Sequence, residues 1–119
     1  MKAKVFAICT LTLTLAFILG ISNGKREKDY QAEWCRGQVE VTLSDRTRAD
    51  CLTETHAIEI EFASKWKNAI GQSLHYALMT GKKAGIALII SKETDQRYLD
   101  QLNRVVKANQ LPIKVWVIK

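Results

Sequence analysis

The sequence predicts an α/β domain built as a mixed five-stranded sheet flanked by helices. Three observations predict it. Residues 38–43 and 55–62 alternate polar and apolar side chains, as half-buried strands do. Residues 84–90 (AGIALII) form a continuous apolar run, the pattern of a strand buried on both faces. Helical periodicity then separates the third strand from the fourth and the fourth from the fifth. Such spacings require crossover connections, which make the later strands parallel.

Taken in order, residues 1–24 read as a secretory signal. Lys2 and Lys4 precede an uncharged, largely apolar run over 5–21, and Gly20, Ser22 and Gly24 supply small residues for cleavage. An uncleaved membrane anchor is the alternative reading of that run. Residues 25–119 have room for one domain. Residues 25–29 are almost all charged and read as a solvated lead-in. Tyr30 and Trp34 share a face of a short first helix that Gly37 stops. In the first strand Val39, Val41 and Leu43 oppose Gln38, Glu40 and Thr42. Ser44-Asp45 is a turn, 46–52 a second strand and 55–62 a third.

Alternation in that third strand sends Ala57, Glu59 and Glu61 to one face and Ile58, Ile60 and Phe62 to the other. Ser64 is a natural cap for a helix running to about Met79 and ended by Thr80-Gly81. Its flank of Trp66, Ala69, Ile70, Ser73, Leu74 and Ala77 reads as the side packed on the sheet. Lys65, Gln72 and Tyr76 fall within about 40° of one another on the same helix. Thr94 or Asp95 caps a last helix to about Gln110, with Tyr98, Leu99, Leu102, Val105 and Val106 as its apolar stripe. Pro112 blocks continuation, and 113–118 is the final strand.

The formal net charge is +6, and removal of residues 1–24 takes away two lysines and no acid. This mild basic excess permits a polyanionic partner without requiring one. Cys9 lies in the signal stretch, while Cys35 and Cys51 form an even pair for which a disulfide is allowed in an exported protein. Neither has further ligands at metal-binding spacing, and His56 and His75 stand alone, which argues against a zinc site.

The polar residues concentrate at one edge of a β–helix unit. Asp50 lies toward the end of the second strand, Glu59 and Glu61 on one face of the third, and Lys65, Gln72 and Tyr76 along one side of the next helix. This order resembles the PD-(D/E)XK nuclease superfamily, whose core is a helix, a three-strand meander, a helix and a further strand. Asp50 matches the acid of the second strand, and Glu59 the acid of the third. Gln72-Ser73-Leu74-His75-Tyr76 matches the Q-x-x-x-Y motif of the branch that includes bacterial recombination exonucleases. The resemblance covers roughly residues 30–90. It departs at one position: Glu59-Ile60-Glu61 reads E-x-E where the superfamily usually has D/E-x-K. Some restriction enzymes of the superfamily also carry E-x-E, and a lysine migrated to the helix is tolerated. Lys65 is the candidate, since Lys67 points about 200° around the helix from it.

The resemblance implies a restriction-endonuclease-like αβββαβ core with a C-terminal αβ unit, and metal-dependent hydrolysis of DNA, ahead of RNA. Mg2+ (or Mn2+) would be held by Asp50 and Glu59, with Glu61 as third ligand or water-orienting base. Lys65 would stabilise developing negative charge. Gln72, Tyr76 and Arg48 would contact substrate. Blander readings stand beside it. Glu59 and Glu61 also suit the solvent face of an edge strand, and Lys65, Gln72 and Tyr76 the polar border of an amphipathic helix. Arg46 and Arg48 contact phosphate or are simply solvated; His75 reads as a surface residue; nothing fixes Glu33 or Glu40 near the site. Two other function classes remain: a nuclease-fold module that binds nucleic acid without cutting, and an exported interaction protein. The expected location is exported, without stable membrane association after signal cleavage, and a homodimer is compatible.

Overall fold

A computed structural model describes residues 24–119, so residues 1–23 of the expected secretory stretch lie outside the described residues. The elements follow as α1 (Glu27–Trp34), β1 (Gln38–Thr42), β2 (Arg48–Leu52), β3 (His56–Phe62), α2 (Trp66–Thr80), β4 (Lys83–Ile89), α3 (Gln96–Ala108) and β5 (Ile113–Ile118). The five strands form one sheet in chain order. β1, β2 and β3 are an antiparallel meander, while β4 and β5 are parallel to β3 and to each other. The parallel part follows from the two helical crossovers. The α/β class and the mixed, helix-flanked sheet are thus as the residue pattern predicts.

Side-chain alternation on β3 and β4 divides the core into two layers. Ala84, Ile86 and Leu88 face α2 and α3, where they meet Ala63, Trp66, Ala69 and Leu102. Ile58, Ile60, Ala87 and Ile89 face the other way, toward Tyr30 and Trp34 of α1. Tyr30 meets Phe62 edge to face at 5.9 Å, which sets α1 across the sheet. Among the described residues no helix is long and apolar enough to cross a membrane.

Several local expectations are corrected. α1 begins at Glu27, so three of the five residues of the charged lead-in are helix. β2 begins at Arg48: the Asp45 carboxylate accepts the backbone N–H and the hydroxyl of Thr47, and Arg46 takes φ 73°, which extends the hairpin turn. Ser64 caps nothing. It lies in a 3-10 turn over Ala63–Lys65, and no side chain caps α2. Lys65 therefore precedes the first residue of α2, and its expected place on that helix's wheel does not hold. Asp95, not Thr94, stands at the start of α3, but its carboxylate turns back to the backbone N–H groups of Ser91 and Lys92. Gly81 ends α2 as expected, in the left-handed conformation with its N–H on the Ala77 carbonyl.

Candidate active site

The site is organised by a break in the sheet at Asp50. The β2–β3 register pairs Leu52 with Ala57 and Cys51 with Ile58, and it stops before Asp50 and Glu59 would face each other. β1 and β2 also skip this level: Val39 pairs with Cys51 and Val41 with Ala49, while Glu40 between them takes φ 51°. A glutamate in the left-handed region costs about 1–2 kcal/mol. Backbone groups released by the break find side-chain partners, as buried peptide groups must. Asp50 Oδ2 accepts the Ile60 N–H at 2.8 Å, and the Gln31 side-chain amide donates to the Asp50 carbonyl. Gln31 is 5% exposed, so α1 reaches directly beneath the gap.

A disulfide joins Cys35, just past α1, to Cys51, the residue after Asp50. Gln31 and Cys35 lie one helical turn apart, so α1 grips β2 at two adjacent residues. A cross-link closing a loop of this length stabilises by about 3 kcal/mol in the chain-entropy picture.

Glu59 and Glu61 are buried, at 3% and 8% exposure. β3 is the central strand, and these two side chains share the face covered by α2. The reading of a solvated edge strand is therefore overturned. Among the described residues Glu59 Oε2 has no hydrogen-bond partner. Burial, then the charges of Asp50, Glu61 and Glu27, push the Glu59 carboxyl far above the usual carboxylate range. Burial also raises Asp50, with Glu61 and Glu40 adding to the effect, while the Ile60 N–H opposes it. At neutral pH the Asp50–Glu59 pair consequently retains a proton.

Glu27 joins this cluster, and sequence reasoning missed it. Burial, then Glu61 and Asp50, raise its pKa to about 7, and Lys65 acts in the opposite direction. A signal was present: Glu27, Gln31 and Trp34 recur at i, i+4 and i+7 on one face of α1. Glu40 is likewise brought to Asp50, by a backbone conformation that no residue pattern announced.

The remaining expected residues divide. Tyr76 is 6% exposed rather than on a polar border. Burial and the nearby Glu59 and Asp50 charges raise its phenol to about 12, with Gln72 working the other way, so the hydroxyl keeps its proton beside the acids. Gln72 is exposed at the rim. Lys65 is exposed and acts on Glu27. Lys67 lies over the Trp66 ring at 5.7 Å. Arg48 is exposed on β2, and no hydrogen bond or ion pair joins it to the acids among the described residues. His75 contacts Asp45 at 2.6 Å, and Glu33 pairs with Lys25, both outside the cluster.

As a cation site the cluster offers hard carboxylate oxygens, one of them buried without a partner. Among the described residues no three His, Cys, Asp or Glu side chains close to metal-holding geometry. Two carboxylates still suit Mg2+, which commonly keeps several waters and takes one or two protein carboxylates. The donor set of Asp50 and Glu59 fits that ion.

Over 97 residues the chain is 31% identical to a KilA-N domain-containing protein of Acanthamoeba polyphaga mimivirus, a match that takes in 79% of this chain and 38% of that protein. The chain thus spans well under half the length of that relative. No family model matches the sequence, and no solved structure matches it.

Proposed function

We propose that the chain is a metal-dependent nuclease of the PD-(D/E)XK type, with a restriction-endonuclease-like core, that hydrolyses phosphodiester bonds of DNA. One observation carries this reading: four acids, Asp50, Glu59, Glu61 and Glu27, converge at a split in the sheet, and one buried oxygen of Glu59 is left without a partner. A purely structural cluster of this kind is unfavourable, because each buried carboxylate raises the cost of ionising the next. A divalent cation reverses that cost.

Asp50 and Glu59 would hold Mg2+ or Mn2+, which when bound polarises a phosphoryl oxygen and lowers the pKa of a water. The residues around them have separate tasks. Glu61 orients the attacking water. Glu27, whose carboxyl burial and the neighbouring Glu61 and Asp50 push up to about 7 in the metal-free protein, would accept or return a proton as a general base or acid. Lys65 supplies positive charge where the phosphate gains negative charge, in place of the third-strand lysine that E-x-E lacks. Tyr76 keeps its phenolic proton and donates it as a hydrogen bond, and Gln72 at the rim contacts phosphate or base. Arg48 lies farther out on β2 and contacts the substrate backbone.

The disulfide favours an oxidising compartment, and therefore export, as the charged, apolar and small-residue order of residues 1–24 does. The similarity to the viral KilA-N domain-containing protein is compatible with a nucleic-acid substrate and assigns no reaction to the shared stretch. A second reading rests on the E-x-E departure: the same surface binds nucleic acid without cutting it.

The test is a cleavage assay on single-stranded, duplex and nicked DNA and on RNA, in Mg2+ or Mn2+ and in chelator. Metal-dependent cleavage, abolished by Asp50→Ala and Glu59→Ala, is expected. No cleavage of any form removes the enzyme reading, and retained binding then leaves the non-cutting module.

A further inference from the structure

At the opposite end of β3 from Glu61, a second polar–aromatic feature is built around Trp116. Gly85 of β4 makes the seat for its ring: a Cβ there would come within 2.6 Å of Trp116 Cζ3. The indole thus rests on bare backbone. Two aromatic edges hold it, His56 at 5.2 Å and 79° and Trp34 at 5.7 Å and 64°. Lys114 Nζ lies 4.8 Å from its ring centre. These groups line an open cavity of about 470 Å3, with Arg36, Thr53 and Thr55 on its wall. A second cavity, of about 660 Å3, shares His56 and Lys114 and adds Lys82 and Lys83.

The charge along this strip is of one sign. Among the described residues no acidic side chain lines either cavity, while Arg36, Lys82, Lys83 and Lys114 do. Glu54 lies outside both linings and engages Lys82 through its backbone carbonyl. Burial, then the charges of Lys114 and Lys83, hold the His56 pKa below its ordinary value. Arg36, Lys83 and Lys114 are exposed, so their charges face solvent.

We propose that this strip is a binding site for single-stranded nucleic acid, with a base stacked at Trp116 and His56 and the flanking phosphates on Arg36, Lys114 and Lys83. The occupant follows from chemistry. A one-signed basic strip selects a polyanion. A fixed indole in an open cavity offers a stacking platform, which bases can use only when they are unpaired and their faces free. An acidic peptide would meet the charges but leave the platform unused. Lys114 lies on a flexible stem, and moving from the indole face to a phosphate exchanges one cation contact for another. His56 precedes Glu59 by three residues on β3, so its side chain, like Ile58 and Trp116, lies on the α1 face of the sheet, opposite the face that carries the acids. This inference rests on the nucleic-acid reading above and adds to it a substrate form and a second point of attachment.

The experiment measures binding of fluorescent oligodeoxythymidylate by anisotropy, in chelator so that nothing is cut, over a range of salt concentrations. Quenching of tryptophan emission is followed in parallel. Arg36→Ala/Lys114→Ala should weaken binding by about tenfold and flatten the logarithmic salt dependence by about 1–2 units. Arg104→Ala/Lys107→Ala, which removes the same charge from exposed positions on α3, should leave affinity near that of the parent. Trp116→Phe should retain the fold, checked by its melting curve, and lose most of the quenching. Three results would overturn the proposal: equal weakening by the two double variants, equal competition by polyglutamate of matched charge, or equal affinity for duplex DNA. If the parent does not cleave but the Arg36/Lys114 dependence holds, the enzyme reading fails and this site stands. If cleavage occurs and those substitutions leave oligonucleotide binding unchanged, this site fails and the enzyme reading stands.

Discussion

Glu59→Gln should make the metal-free protein more stable, and the gain should depend on pH. The carboxyl is 3% exposed and its pKa is raised by burial and by three neighbouring acids, from an ordinary 4.5 to a value above neutrality. A group whose folded pKa is raised binds its proton more tightly when folded. Its favourable contribution is thus complete below pH 4.5 and declines as pH rises toward the folded pKa. At about 1.4 kcal/mol per pH unit, the loss between pH 4.5 and 7 approaches about 3 kcal/mol. Asp50 shares the same proton, so about half of this is assigned to Glu59. Glutamine keeps the shape, carries no charge and can donate its amide to Asp50. Melting curves in chelator should therefore show Glu59→Gln above the parent by roughly 5–10 °C at pH 7 to 8, with little difference near pH 4.5. Added Mg2+ should raise the parent's melting temperature and leave that of the variant unchanged. A variant less stable than the parent at pH 8, or a gain of equal size at both pH values, would refute the argument from buried charge.

Other perturbations separate the supporting parts. Cys35→Ala/Cys51→Ala should lose about 3 kcal/mol in urea unfolding of the oxidised protein, and adding reductant should change the parent but not this variant. Glu40→Gly should be stabilising by about 1 kcal/mol in the same assay, since glycine adopts φ 51° freely and one charge facing Asp50 disappears. Lys65→Ala should cut slowly with unchanged Mg2+ affinity by calorimetry, whereas Lys67→Ala, whose side chain lies on Trp66, should match the parent.

The strand and helix order was legible because each element carries its own period or stop. The apolar run of β4, Gly81 and Pro112 each act through local chemistry. Asp50, Glu59 and Tyr76 were legible because alternation and helical spacing bring them to one region, and burial and charge couple them. Glu27 was not, since a run of charged residues looks solvated unless its helix is known to cross the sheet. The splitting of the ladder at Asp50 was also hidden. It depends on Gln31 and the Asp50 carboxylate replacing backbone partners, a long-range exchange with no local signature. Ser64 illustrates the opposite error: a good capping residue went unused because a 3-10 turn delayed the helix.

The central claim, that the acid cluster at the split strand holds a divalent cation for phosphodiester cleavage, is tested most directly by titrating Mn2+ into the parent and into Asp50→Ala and Glu59→Ala, with metal binding and DNA cleavage followed on the same samples. The account predicts that the parent binds the ion with release of a proton and cuts DNA only when it is bound, and that both variants remain folded while losing binding and cleavage together. Parent protein that neither binds the ion nor cuts, or variants that continue to cut, would contradict it.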